Sequence, residues 1–432
     1  FGLRSSDFRA AEHDLPSTGR TLEQPCPRVL MIAYACDPRG SGEHWLGWGW
    51  AEQAAQRYEV ELLTTPKARA AVEESCRATR ITPHFIDVPE WLRPAADLGW
   101  AAWSRKLAWQ RRAARVAAEL HREKHFALAH QTTFHSFRTP FLAAGLGIPS
   151  VWGPIGGGEY APPGFEAYLG RGRFAESGRR LINRLWLEFP PVKRSLRQAT
   201  AIFVSNRTTL EFLPPDCHPK SLIVPPNALR PEDERCPRPP ARREGAEAGP
   251  FKLLYVGNCV ATRAIPIVLE ALRQARLTDY EFSIVGGGPA LEHWKRRAAE
   301  LGLSEQVKFV GKVPYAKLQD YYTTADVLVF PALRDSGGSA LLEAMARYVP
   351  VVCLDWGGPG EMVDSHSGMK IPVSTPQKTV AAFAGALVRL KREPALRAAL
   401  ATAARARAEA TFRWQAKREL LEATYERLIQ PR

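Results

Sequence analysis

Apolar positions fall in short unbroken runs separated by longer stretches of helical spacing. The first run, Val29-Leu30-Met31-Ile32-Ala33-Tyr34, ends in Asp37-Pro38-Arg39-Gly40-Ser41-Gly42, and a helical stretch follows from roughly Trp45 to Arg57. A second run, Val60–Thr64, completes a strand–turn–helix–strand unit, the pattern of a parallel sheet. Further strands are predicted at Phe126–His130, Ser150–Gly153, Ala201–Ser205 and Leu222–Val224. A second series follows, with strands at Lys252–Val256, Glu281–Val285, Val307–Val310, Asp326–Phe330 and Pro350–Leu354. Helical segments near 265–276, 290–302, 315–323 and 339–347 separate these strands, and the chain ends in helical spacing over 376–429. Uninterrupted apolar strands between helices are those of a sheet covered on both faces.

Two breaks divide the chain. Residues 1–27 are polar and aperiodic and predict a loose arm. Residues 230–250 are rich in proline, charge and small residues and read as a linker. The predicted fold class is α/β, with two doubly wound Rossmann-like domains, 28–229 and 251–411, and a C-terminal helix over 412–432. Such sheets bind ligands at the carboxyl ends of their strands, so two of them facing each other enclose a cleft.

Composition narrows this little. The 432 residues are 45% hydrophobic and 24% charged, which excludes a wholly disordered or collagen-like chain. No run reaches the roughly 18 apolar residues of a spanning helix, and the first residues lack the apolar core of a secretory signal. The seven cysteines are scattered without a CxxC pair, which points to reduced thiols in a cytoplasmic protein rather than a zinc site. The net charge of +14 changes the picture more, because it favours anionic partners: phosphates, nucleic acid or an acidic membrane surface.

The richest stretch chemically is Phe330–Ala346. A strand ends at Phe330, Asp335 sits on the turn after it, and Ser336, Gly337, Gly338 and Ser339 open a helix. Backbone amides at a helix start make an anion site. Glu343, one turn on, adds a second acid beside it. Acids flanking an anion site suit a ligand with both phosphate and hydroxyl groups, as in a sugar nucleotide. The other reading is that Asp335 and Ser336 cap the helix and Glu343 is a solvated side chain.

The stretch from Asp335 to Glu343 resembles the acid-x7-acid signature of retaining glycosyltransferases of family 4, which have the GT-B fold. Supporting segments lie in the family's order: Val285-Gly286-Gly287-Gly288-Pro289, Val307–Pro314, Asp355-Trp356-Gly357-Gly358-Pro359-Gly360-Glu361, Val224-Pro225-Pro226-Asn227 and Trp152–Glu159. The resemblance implies a two-domain transferase with the donor in the second domain. Asp335 would hold sugar hydroxyls, and the amides of Gly337, Gly338 and Ser339 would hold the diphosphate. Glu343 would hold the ribose, and the backbone near Val313 would read the base, with Gly287 and Ser336 in the donor site. The family commonly has Glu where Asp335 stands. It places Arg and Lys where this chain has Asn258 and Arg263, so one phosphate contact is weakened or moved. The C-terminal segment from Phe412 would pack back on the first domain.

In the first domain, Gly40-Ser41-Gly42 lacks the third glycine of a dinucleotide fingerprint, because Trp45 stands there, which argues against NAD. There is no P-loop. In the family this loop faces the donor phosphates, so Gly40, Ser41, Gly42, Glu43 and His44 are assigned to the acceptor side together with His135. His130, at a predicted strand end, is assigned with Asp335 and Arg263 to catalysis. Two stretches, 91–124 and 166–197, interleave arginine and lysine with aromatic residues. They suit either an anionic surface or an ordinary helix with a tryptophan stripe in the core.

The expected function is retaining transfer of a sugar from a nucleoside diphosphate sugar, UDP favoured, to a saccharide, lipid-linked or small-molecule acceptor. The expectation includes no metal, no cofactor beyond the nucleotide sugar as co-substrate, and no nucleic acid. It places the protein in the cytoplasm, with an anionic membrane surface on the inner face as a partner. Two rivals remain at this point: a sugar-nucleotide epimerase or phosphorylase on the same fold, or a basic binding protein without catalysis.

Overall fold

Two parallel sheets carry the molecule. The computed structural model describes residues 26–88, 99–133, 135–170, 172–237 and 249–430. The expected arm lies outside the described residues except at Cys26 and Pro27, as does the linker over 238–248.

The first sheet contains β1 (Arg28–Ile32), β2 (Glu59–Thr64), β3 (Ile81–Phe85), β4 (Leu128–Gln131), β5 (Ser150–Ile155), β6 (Ala201–Val204) and β7 (Ser221–Ile223), in the order β3-β2-β1-β4-β5-β6-β7. Its helices are α1 (Glu43–Ala54), α2 (Arg69–Cys76), α3 (Gly99–Lys124), α4 (Glu166–Leu169), α5 (Gly172–Glu188), α6 (Pro190–Gln198) and α7 (Arg207–Phe212). Every residue of β4, β5 and β6 is buried, as a strand covered by helices on both faces requires.

The short α8 (Pro231–Glu234) leads towards the second sheet. That sheet contains β8 (Phe251–Val256), β9 (Tyr280–Val285), β10 (Val307–Gly311), β11 (Val327–Phe330), β12 (Val351–Leu354) and β13 (Gly368–Ile371), in the order β10-β9-β8-β11-β12-β13. Its helices are α9 (Ile265–Ala275), α10 (Leu291–Glu300), α11 (Tyr315–Thr324), α12 (Ser339–Ala346), α13 (Gly357–Met362), α14 (Pro376–Arg392) and α15 (Pro394–Phe412). The chain then turns into α16 (Trp414–Ile429).

Two strands escape the hydrophobic pattern, β3 and β13, and both lie at a sheet edge. Pro83 sits inside β3, a position tolerated only at an edge because proline brings no amide to the ladder. The stretch read as a linker begins as packed structure. Asp233 on α8 is buried and pairs with the equally buried Arg347 at 2.8 Å, and Arg405 of α15 donates to the Asp233 carbonyl at 2.7 Å. A charge pair of this kind is kept out of water only where both partners are held in place.

α16 returns to the first sheet. Leu421 and Tyr425 join the core beneath β1, and Trp414 meets Trp45 and Trp50 edge to face. The outward crossing runs beside this return, with the Leu229 amide donating to the Phe412 carbonyl at 2.7 Å. Among the described residues all seven cysteines are free, and no helix is long and apolar enough to cross a membrane.

Candidate active site

The carboxyl ends of the two sheets face each other across a cleft of about 600 Å³, within the range of ligand pockets. The second domain supplies Gly257, Asn258, Arg263, Gly286, Gly287, Lys312, Val313 and the loop from Asp335 to Ala340. The first domain supplies Gly42, Glu43, Leu46 and His135, and the crossing supplies Pro226 and Asn227. The glycine-rich turn after β9 has a steric cause: a Cβ on Gly286 would stand 1.9 Å from the Gly257 carbonyl oxygen. Only bare backbone lets the ends of β8 and β9 come so close.

Asp335 organises the cleft floor. One carboxylate oxygen accepts from the amides of Gly337 at 3.0 Å and Gly338 at 3.1 Å, and the other pairs with the Arg263 guanidinium. This differs from the expectation that these amides face an anionic ligand while Asp335 reaches for sugar hydroxyls. An aspartate is one methylene shorter than the glutamate common at this position, and it bonds naturally to amides two and three residues on. Asp335 therefore turns back onto its own loop. Gly338 takes φ +56° as the residue before α12, and a Cβ on Gly358 would stand 2.4 Å from the Ser336 carbonyl, so the Gly357-Gly358 turn packs directly against the acidic loop. Asn227 ties that loop to the crossing, its amide donating to the Gly337 carbonyl at 2.7 Å.

Glu343 stands one turn further along α12 in a side chamber of about 60 Å³. The chamber shares Gly42, Leu46, Asn227 and Ser339 with the main cleft. The Tyr322 hydroxyl donates to its carboxylate at 2.8 Å, and burial pushes the carboxyl above the usual carboxylate range. This environment rules out the solvated-side-chain reading.

The two histidines differ from expectation. His130 is fully buried. Its Nε2 donates to the Gly153 carbonyl at 2.8 Å and its Nδ1 accepts from the Tyr425 hydroxyl at 2.7 Å. Trp50 and Phe203 pack against the ring, and burial pushes the imidazole down to about 4. The side chain points into the core of the sheet, so His130 lies outside the cleft and joins α16 to β4. His135 lines the cleft instead. Its Nε2 is buried without a hydrogen-bond partner, and burial lowers its imidazole as well. Its amide donates to Glu43 at 3.1 Å, which brings together two residues assigned to the acceptor side. Within the 40–44 loop, Gly42 and Glu43 line the cleft. Gly40 and His44 instead close the turn before α1 onto Asp37, and Ser41 lies exposed between them.

The motif reading passed over Lys312, an exposed cation whose stem lies against Gly287 in the cleft. Its only sequence signal is its place immediately after a strand. Glu159, quoted within a motif, proves to be a buried bracket: it accepts from Asn206 at 2.9 Å, Thr209 at 3.1 Å and the Gly157 amide at 2.9 Å.

Residues 239–407 match the family model described as glycosyl transferases group 1. A D-inositol 3-phosphate glycosyltransferase of Streptomyces bingchenggensis is 32% identical over 173 residues, 37% of this chain and 37% of the relative. The chain spans about half or less of the length of the curated relatives it matches. In fold it is similar to sucrose-phosphate synthase from Thermosynechococcus elongatus, with TM-score 0.61 and 20% identity over 93% of this chain and 99% of that one. It is also similar to Anabaena HepE in complex with UDP and glucose, with TM-score 0.57 and 14% identity over 93% and 100%. The second domain thus matches the group 1 glycosyl transferase model over 239–407, and the described chain as a whole carries the GT-B fold.

Proposed function

We propose that the chain is a retaining glycosyltransferase that moves a sugar from a nucleoside diphosphate sugar, UDP favoured, to a hydroxyl of a saccharide, lipid-linked or small-molecule acceptor. The observation that carries this reading is the convergence of Arg263, held by Asp335 on the cleft floor, and Lys312 in a cleft whose side chamber holds Glu343. A diphosphate needs cations, for which Arg263 and Lys312 are available in the cleft, and a ribose needs a carboxylate, for which Glu343 is available in the side chamber.

The chemistry follows from charge. The bond from the anomeric carbon to the leaving phosphate oxygen breaks, and negative charge grows on the diphosphate. Arg263, held by Asp335 before the reaction begins, and Lys312, an exposed cation lining the cleft, stabilise that charge. The acceptor oxygen bonds to the anomeric carbon on the face the phosphate leaves, and its proton passes to that phosphate. Retention then requires no protein nucleophile. His130 takes no part. His135 and Glu43 orient the acceptor, and closure of the cleft keeps water from the donor.

The test is a thermal-shift panel of UDP, GDP, ADP and UDP-sugars. A nucleotide at a hundred times its dissociation constant adds about 2.7 kcal/mol of stability, so UDP should raise the melting temperature more than ADP or GDP. Proton NMR of the product should show the anomeric configuration of the donor. An inverted product, or sugar conversion without acceptor, contradicts the proposal.

A further inference from the structure

Large apolar side chains left in solvent concentrate on one helix. On α5, Phe174 is 71% exposed, Leu181 60%, Ile182 50% and Leu185 65%. At 100° per residue, positions 174, 181 and 185 fall within an arc of about 40°, and 182 lies beside it. Arg173, Arg180 and Arg184 occupy one flank of this stripe, and all three are exposed. The opposite side of α5 is locked to the protein. Asn183 is buried and donates to the Gly157 carbonyl at 2.7 Å, Arg179 donates to the same carbonyl at 2.9 Å, and Glu176 pairs with Arg334. The outward direction of the apolar stripe is therefore fixed.

The other basic stretch is built differently. On α3, Trp109 is fully buried and donates to the Ile86 carbonyl at 2.9 Å, with Ala113 and Ala117 also buried. Where its side chains are described, the tryptophan stripe of α3 belongs to the core. Trp91, Arg93, Trp100 and Trp103 lie outside the residues whose side chains are described.

We propose that α5 lies in the headgroup region of an anionic phospholipid bilayer, with Phe174, Leu181, Ile182 and Leu185 among the acyl chains and Arg173, Arg180 and Arg184 on headgroup phosphates. An amphipathic helix with a basic flank has the chemistry of such an interfacial helix. Charge decides against a second copy as the occupant: two of these arginine-flanked faces on a chain of net charge +14 repel each other, whereas anionic lipid attracts them. α5 also borders the cleft. Its partner Arg334 precedes Asp335, and Gly172 at its start lies against Ala261, two residues before Arg263. Resting on the glycosyltransferase reading, this placement assigns the acceptor to a lipid-anchored class presented at the membrane surface.

The test is sedimentation of the full chain with vesicles of phosphatidylcholine alone and of phosphatidylcholine with phosphatidylglycerol, without any nucleotide. Binding should appear with phosphatidylglycerol and fall with added salt. The triple variant Arg173→Glu, Arg180→Glu, Arg184→Glu should weaken it by about a hundredfold or more, at about fivefold for each arginine. The variant Phe174→Ser, Leu181→Ser, Leu185→Ser should also lose binding, with an unchanged melting temperature because these side chains are solvent-exposed. Arg111→Glu with Arg112→Glu on α3 should bind as the unaltered chain does. The proposal is overturned if the unaltered chain ignores phosphatidylglycerol vesicles at low salt, or if the α5 variants sediment unchanged. It is equally overturned if ultracentrifugation shows a dimer that the serine variant dissolves while vesicles remain unbound. Vesicle binding is read without turnover, so a failed nucleotide panel and a failed vesicle assay point to different proposals.

Discussion

The Asp335 carboxylate and the Arg263 guanidinium form an ion pair on the floor of the cleft, and the same carboxylate also holds the amides of Gly337 and Gly338. Cation, acid and amides are thereby fixed relative to one another in advance. Only the cation carries a full charge opposite to that of a departing diphosphate.

Replacing that cation should be costly. Arg263→Ala is expected to lower turnover at saturating donor by about a hundredfold to a thousandfold, the usual loss when one preorganised contact to developing charge is removed. Asn258→Ala, which removes a neutral group, should cost far less. Initial rates on one acceptor compare the two, and equal losses would assign the phosphate to another ligand.

Glu343 should report on binding rather than on the fold. Glu343→Gln keeps an oxygen for the Tyr322 hydroxyl and removes the charge, and it should weaken donor binding by about 1–3 kcal/mol. Titration calorimetry with UDP measures this directly. An unchanged affinity would detach the side chamber from the ribose.

Lys312 is expected to stand in for the cation missing at Asn258. Lys312→Ala should raise the KM for donor severalfold and steepen the loss seen in the Arg263 variant, because two contacts to one diphosphate couple. A Lys312 variant with the unaltered KM would leave that lysine a surface residue.

His130 should make stability depend on pH. Its folded value, about 4, lies below the ordinary value of 6.5, so the unfolded chain takes up a proton that the folded chain refuses. Stability is fully present above 6.5 and is lost as the pH falls from 6.5 towards about 4, by about 3 kcal/mol at the lower end. Denaturant midpoints across that window measure the slope, and His130→Gln should flatten it relative to the unaltered chain. Parallel slopes for the two proteins would refute the assignment.

Much of the architecture is legible in the apolar runs. Central strands such as β6, β11 and β12 are buried on both faces, so burial alone demands the unbroken apolar stretches that mark them. The edge strands β3 and β13 carry no such demand, and their sequences, Ile-Thr-Pro-His-Phe and Gly-Met-Lys-Ile, are correspondingly mixed. Glycines required by close backbone contact, such as Gly286 and Gly358, mark their turns in sequence because any other residue would collide there.

The sequence by itself determined the two doubly wound domains, the order of the donor-side segments and the acid-x7-acid spacing, because strand burial, helix periodicity and turn sterics act over a few residues. Only the tertiary structure decided which way each side chain points. His130 and His135 are five residues apart, yet one is sealed beneath Tyr425 of α16 and the other faces the cleft, an outcome set by a helix nearly three hundred residues downstream. Asp335 closing onto its own loop, Lys312 entering the cleft, and α5 presenting an apolar face to solvent while Trp109 of α3 is buried are decisions of the same kind. Each depends on which surface another element happens to cover, and local pattern carries no record of that.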